Sequence, residues 1–252
     1  MKLDHPTGQE IPGLRKLWKT AFGDTDDFLD LFFSTAYAPE RCLCITEEER
    51  VLAALYWLDT ACRGRKFAYI YAVATDPACR GRGLCRCLMD ATRKLLQERG
   101  YAGALLVPQE EPLIQMYSRM GYAPCTTVSE FRCAAALPAA ALRKLDAADY
   151  ARSRRRLLPE GGVLQEGENL AFLEPQVTFY AGPEFLTAVA VDGEELRCLE
   201  LLGDVSAAPR IVAALGISGG FFRCPGEGRA FAMFRPLTED CPKPGYFGFA
   251  FD

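Results

Sequence analysis

The stretch Tyr69–Leu96, YIYAVATDPACRGRGLCRCLMDATRKLL, limits what this chain can become more than any other. Its first residues alternate aromatic and β-branched side chains, as a half-buried strand does. Asp76-Pro77 stops that strand, and Arg80-Gly81-Arg82-Gly83 follows as a tight turn. From Leu84 the pattern changes to a helical one, with Leu84, Leu88, Ala91 and Leu95 on one stripe and Arg99-Gly100 as the stop. A helix entered through a glycine turn has unpaired N–H groups at its start. Those groups form a place for an anion such as a pyrophosphate.

The rest of the chain reads as alternating helices and short strands. Residues 12–22 and 24–37 are expected as two amphipathic helices, the second capped by Asp24 or Thr25. Arg41–Thr46, Val51–Thr60 and Lys66–Thr75 read as an antiparallel meander around the polar turn Glu47-Glu48-Glu49-Arg50. Ala102–Val107 is nearly all apolar, so it is expected in the centre of a sheet. Pro112–Met120 is expected as a short helix, and Tyr122–Cys133 as a strand broken at Pro124. The low-complexity run Ala134–Leu142 is the best boundary, dividing the chain into domains at 1–137 and 138–252.

Beyond it, Ala141–Leu145 is expected as a strand, then Ala147–Leu158 as a helix whose Arg154-Arg155-Arg156 run lies on a solvated face. Glu166–Tyr180 is expected to be helical despite Pro175. Asp192-Gly193 marks a hairpin between Phe185–Val191 and Glu194–Leu202. Ala207–Leu215 is expected as a helix, and Gly220–Cys224 with Arg229–Phe234 as another hairpin. Tyr246–Phe251 is expected as a last apolar strand. The order of elements is similar in the two halves, so an internal duplication with a degenerate second copy is conceivable.

A net charge of −4 argues against a general nucleic-acid binder, and no apolar run is long enough to span a bilayer. No signal peptide is visible in MKLDHPTGQE. The eleven cysteines and the single histidine show no ligand spacing, so the expectation is reduced thiols in a cytoplasmic protein, with no metal.

Three phosphate-binding patterns compete for the central turn. A nucleotide-hydrolysing loop needs Gly-Lys-Ser/Thr, which is absent. A dinucleotide fingerprint needs a small residue where Arg86 stands. The third pattern is a strand with valine and threonine, then Asp-Pro, then Arg-Gly-x-Gly into a helix. Val73-Ala74-Thr75-Asp76-Pro77 and Arg80-Gly81-Arg82-Gly83-Leu84-Cys85 match it. This resembles motif A of the GCN5-related N-acetyltransferases (GNAT), with Cys85 where that family has glycine or alanine. Pro112–Tyr122 resembles the family's motif B, and the resemblance covers roughly residues 10–133.

The resemblance implies an α/β (α+β) fold with a central mixed, mostly antiparallel sheet flanked by helices. It also implies acetyl-CoA as co-substrate and an amine as acceptor. The backbone of Gly81–Cys85 would hold the pyrophosphate, with Arg80 and Arg82 adding charge. Val73, Ala74 and Thr75 would line the pantetheine arm, and Tyr117 would protonate the departing thiolate. The chain also looks like a shortened relative of the enhanced-intracellular-survival type, whose second domain is acetyltransferase-like. By that likeness the carboxylate at Asp252 is a candidate base, because Lys66–Val73 carries no acidic residue. Tyr69 and Tyr71 would line the acceptor pocket or orient a water. Two rival readings are an acyl-CoA sensor without turnover and a protein-interaction module using the basic helix at 152–156. The acceptor is not legible, and a homo-oligomer is left open.

Overall fold

The computed structural model describes residues 1–251, and at Asp192 the backbone alone. The first half runs β1 (Lys2–Asp4), α1 (Ile11–Phe22), α2 (Asp26–Thr35), β2 (Cys42–Glu47), β3 (Arg50–Cys62), β4 (Arg65–Thr75), α3 (Leu84–Glu98), β5 (Gly103–Leu106), α4 (Glu111–Ser118), β6 (Ala123–Pro124) and β7 (Thr127–Ala134). The second runs β8 (Arg143–Leu145), α5 (Ala147–Leu157), α6 (Glu168–Leu173), β9 (Thr178–Ala181), β10 (Phe185–Asp192), β11 (Glu195–Gly203), α7 (Ala208–Ala214), β12 (Gly219–Pro225), β13 (Arg229–Ala230) and β14 (Met233–Pro236). None of the described helices is long and apolar enough to cross a membrane.

These strands form two seven-stranded sheets, ordered β1-β2-β3-β4-β5-β14-β6 and, read in the same sense, β8-β9-β10-β11-β12-β7-β13. The two orders agree position by position, and so do the strand directions. The fourth and fifth strands of each sheet are the parallel pair, β4 with β5 and β11 with β12. All other neighbours are antiparallel. Each fourth strand also carries one extra residue against the third, as the shifts at Ala54/Tyr56 and Ala188/Val189 show. The second half therefore repeats the architecture of the first, which sequence similarity between the halves was too thin to reveal.

The sixth strand of each sheet comes from the opposite half. β14 sits between β5 and β6, while β7 sits between β12 and β13. The sheets thus exchange strands across residue 137. The same exchange explains a difference from the sequence reading. Gly220–Cys224 and Arg229–Phe234 do not form a hairpin, because β7 lies between β12 and β13 and pairs with both. The loop that spans them lies against β7, where a Cβ at Gly226 would come within 2.0 Å of Ser129 Oγ.

Packing joins the halves as firmly as pairing does. One core contains Trp18, Phe32 and Tyr56 of the first half together with Phe172, Phe179 and Leu186 of the second. A second core lies under α3 and α4 on the other face of the first sheet, and a third lies under α7. The stripe of α3 that is fully buried is Leu84, Leu88, Met89, Thr92 and Leu96, so Ala91 and Leu95 lie at its edge. The expected helix over Glu166–Tyr180 is helical only as α6. Pro175 supplies no N–H to continue it, and the chain then extends into β9.

Two further expectations change. Tyr246–Phe251 is not a strand, although Tyr246, Phe247, Phe249 and Ala250 are fully buried. Side chains take the place of a ladder here. The Gln165 amide receives the Phe249 N–H at 2.9 Å and donates to the Phe249 carbonyl at 2.7 Å. Nor is the arginine run a uniformly solvated face. Arg155 pairs with Glu166 and Arg152 with Asp149 at the surface, but Arg154 is buried. Arg154 grips Glu200 through Nε at 2.7 Å and Nη2 at 2.9 Å, and Glu200 also accepts from Tyr150 Oη and Tyr246 Oη. The fit leaves no room at Gly248, where a Cβ would lie 1.8 Å from Glu200 Oε1.

A buried ion pair with every lone pair used is costly to break from one side, because the remaining charge has no water to turn to. Glu200→Leu should therefore lose about 3–5 kcal/mol of stability in urea unfolding. The double variant Arg154→Met/Glu200→Leu should lose clearly less, because it leaves no unpaired charge. Equal losses in the single and double variants would show that the pair is not what holds this region.

Candidate active site

The site begins where two neighbouring strands part. β4 and β5 are in register only from Phe67–Gly103 to Tyr69–Leu105, although β4 continues to Thr75. The cause is the extra residue in β4. Ala54 faces Ala74 but Tyr56 faces Tyr71, and Ala72 takes a φ of 47°. An alanine in that left-handed region costs about 1–2 kcal/mol, and a bulge bends its strand away from its neighbour. Beyond Tyr69 the β5-facing edge of β4 has no strand partner among the described residues. A cavity of about 420 Å³ opens there, with Ile70–Val73 on one lip and Leu106–Gln109 on the other. Of the three residues expected along the pantetheine arm, Val73 lines this cavity, Ala74 is buried beside it and Thr75 is half-buried beyond it.

The glycine turn follows. Asp76 caps a single helical turn by accepting the Ala78 N–H at 2.9 Å, and Arg50 holds the same carboxylate at 2.9 Å. The chain extends at Arg80, turns through Gly81 at φ 76° and enters α3 from Gly83 at φ 78°. Both glycines are needed for backbone conformation, because no atom lies within 4 Å of a Cβ built on either. No side chain caps α3. The N–H groups of Leu84, Cys85 and Arg86 therefore face open space with the positive end of the helix dipole, about half a charge.

The charges around this turn differ in availability. Among the described residues Arg80 and Arg86 are exposed and carry no ion pair. Arg82 turns back toward Cys79 Sγ at 3.6 Å, Met1 Sδ at 3.5 Å and Glu47 at 4.0 Å. Leu84 is buried and anchors the helix, while Cys85 is half-buried and burial pushes its thiol up to about 11. Cys85 is thus a neutral small side chain at neutral pH, filling the place of the family's glycine or alanine without adding charge.

Tyr117 reaches the cavity from α4 and is buried. Burial holds its phenol well above the usual tyrosine range, and the nearby thiol of Cys85 and phenol of Tyr122 add to the effect. Its proton is therefore retained across the physiological range, as a proton donor requires.

The other end of the cavity is aromatic. Trp18, Phe22, Phe28, Tyr69, Tyr71 and Phe251 line it, and Tyr71 Oη donates to the Phe251 carbonyl at 2.8 Å. Asp252 lies outside the described residues. The second half adds Leu173, Gln176, Val177, Ala190, Arg197 and Leu199, so both halves wall one cavity. One carboxylate that lines the cavity was missed in the sequence. Asp24 was read as a possible helix cap, but Thr25 caps α2 by accepting the Phe28 N–H. The Asp24 carboxylate instead accepts the Trp18 indole N–H at 2.7 Å and lines the cavity. The local sequence does not separate these roles, since either residue suits the cap.

The comparisons with known proteins agree with this geometry. The family model of an acetyltransferase (GNAT) domain matches residues 2–125. A GCN5-related N-acetyltransferase from Kribbella flavida is similar in structure with a TM-score of 0.71 at 17% identity, over 93% of this chain and 70% of that one. One from Anabaena variabilis gives 0.73 at 13% identity, over 94% of this chain and 73% of the other. Eis1 from Mycobacterium abscessus gives 0.68 at 14% identity, covering 94% and 74%. At such identities these structures speak for the fold, and they cover both halves. No protein of curated description matches the chain. A helix entered through Arg80–Gly83, a parted pair of strands and the family match over the same residues mark residues 2–125 as a GCN5-related N-acetyltransferase domain.

Proposed function

We propose that this protein transfers an acetyl group from acetyl-CoA to an amine, by direct attack within a ternary complex. One observation carries the reading: β4, whose edge is left without a strand partner beyond Tyr69, leads through the glycine turn into an uncapped helix N-terminus. Such a helix start suits a pyrophosphate, and the unpartnered edge of β4 offers N–H and C=O groups to an extended amide-bearing chain. Acetyl-CoA has both parts, and its thioester supplies an activated acyl group.

The chain's own residues divide the remaining work. The N–H groups of Gly81–Cys85 hold the anion, with Arg80 and Arg82 contributing charge. Backbone groups at Val73–Thr75 orient the arm, and an N–H there polarises the carbonyl. Tyr117 gives its proton to the sulfur as the thiolate departs. A thiol of pKa near 8.5 leaves readily, so this donation sits at the low end of acid catalysis, about 100-fold. The incoming ammonium, with a pKa near 10, must lose a proton first. We assign that step to the carboxylate at Asp252. The support is that Phe251, its chain neighbour, lines the cavity, and that Tyr71 holds the Phe251 carbonyl.

Three measurements test these roles. Gly83→Val forces a branched side chain to φ 78°, so acetyl-CoA affinity by calorimetry should fall about tenfold or more, some 1.4 kcal/mol. Unchanged affinity would remove the turn from cofactor binding. Tyr117→Phe should lower kcat by roughly 100-fold while leaving the KM for acetyl-CoA nearly unchanged. A variant as fast as the parent would exclude Tyr117 as the acid. Deleting Asp252 should depress turnover most strongly at low pH, where fewer amines are already neutral. Unaltered pH–rate profiles in a folded variant would place the base elsewhere.

A further inference from the structure

The acceptor end of the cavity is lined by rings, with little charge. Trp18, Phe22, Phe28, Tyr71 and Phe251 supply broad apolar faces. They form one continuous patch. Trp18 lies 5.6 Å from Tyr71, 5.8 Å from Phe22 and 6.4 Å from Phe28 between ring centroids, and Tyr71 lies 5.8 Å from Phe251. Among the described side chains that line the cavity, Asp24 is the one carboxylate and Arg197 the one cation. Asp24 is also aimed. The Trp18 indole N–H engages one of its oxygens at 2.7 Å, which fixes the carboxylate at the edge of the aromatic patch.

We propose, on the reading of the site as an acetyltransferase, that the acceptor is a small free primary amine with a single positive charge on an aromatic or aliphatic body. Asp24 holds the ammonium on entry, and the aromatic faces take the body of the molecule by burial and by attraction of the cation to their π faces. A second ammonium would meet apolar rings and Arg197, or would occupy the Asp252 carboxylate that the proposed reaction needs as its base. An unpaired buried charge costs several kcal/mol, so polyamines are selected against. Peptides are disfavoured by shape. The cavity, of about 420 Å³, is walled by Leu173, Gln176, Val177 and Leu199 of the second half as well as by Trp18, Phe22 and Asp24, so a small body fits it better than a chain lying across it. Asp24 is the specificity-determining residue of this arrangement.

The test uses the full chain with acetyl-CoA and four acceptors: 2-phenylethylamine, hexylamine, spermidine and a lysine-containing hexapeptide. Thiol release and product mass are followed for each. Binding is followed separately, without acetyl-CoA, by quenching of tryptophan fluorescence in the Trp57→Phe variant, which leaves Trp18 as the single tryptophan. The two monoamines should exceed spermidine and the peptide in kcat/KM by about 100-fold, the penalty expected for one poorly placed charge. Asp24→Asn, which keeps an acceptor for the indole N–H, should raise the KM for both monoamines about tenfold with little change in kcat, as loss of ground-state binding does. Asp24→Glu should recover part of that loss, which a general structural defect would not show. Preference for spermidine or the peptide overturns the acceptor class and leaves acetyl transfer standing. An unchanged KM in Asp24→Asn overturns the role of Asp24. Monoamine quenching that depends on Asp24, with no acetylated product, supports the acceptor class and overturns the transfer reading. Absence of both quenching and product with the monoamines overturns the class.

Discussion

The molecule is built around the parting of β4 from β5. One extra residue in β4 puts Ala72 at a φ of 47°, and pairing with β5 stops at Tyr69–Leu105. Without that bulge the two strands would close, and the edge of β4 would be consumed by a ladder. With it, a cleft opens into the hydrophobic interior at the end of the sheet where the glycine turn delivers α3. The cost of one strained alanine is small beside the strand pairing and core that hold it. Functional groups from α1, α4 and the second half all converge on the gap this residue creates.

The second half obeys the same constraint with a different result. β11 carries an extra residue against β10, and its parallel pairing with β12 stops at Cys198–Phe222. The crossover that follows differs. α7 has seven residues, and no pair of glycines precedes it. Gly203, at the end of β11, packs against the Glu184 carbonyl, with 2.2 Å from that oxygen to a Cβ built there. That contact leaves no open cradle of the kind at Gly81 and Gly83. The second half has the same sheet without the glycine turn, and it serves the cavity as a wall. The exchange of β7 and β14 ties the two copies together, so neither sheet is complete with its own residues alone.

The fixed position of the C-terminal segment depends on this second half. Segment 246–251 has no ladder, yet Gln165, Glu200 and Tyr71 satisfy or crowd it at successive points. Buried backbone groups need partners, and here side chains from distant positions provide them. Arg154 stands behind this arrangement with its guanidinium 4.8 Å from the centre of the Phe249 ring. Its sequence neighbours Arg152 and Arg155 remain at the surface, so charge runs in a helix need not share one environment.

Local chemistry decided what the sequence could reveal. The strand, the Asp-Pro stop, the glycine turn and α3 were legible because each depends on neighbours within a few residues, through strand propensity, proline geometry and positive φ. The same holds for Tyr117 on its short helix. Tertiary structure decided the rest. The exchange of β7 and β14, the non-strand burial of residues 246–251 and the pairing of Arg154 with Glu200 all join residues far apart in the chain. Asp24 illustrates the limit most directly. Its neighbours allow it to cap α2, and only the position of the Trp18 indole turns its carboxylate to the cavity. The sequence alone determined the glycine turn into α3 and the class of fold around it. The shape and charge of the acceptor end came from packing two halves against each other, because no local pattern records which distant side chains will share one cavity.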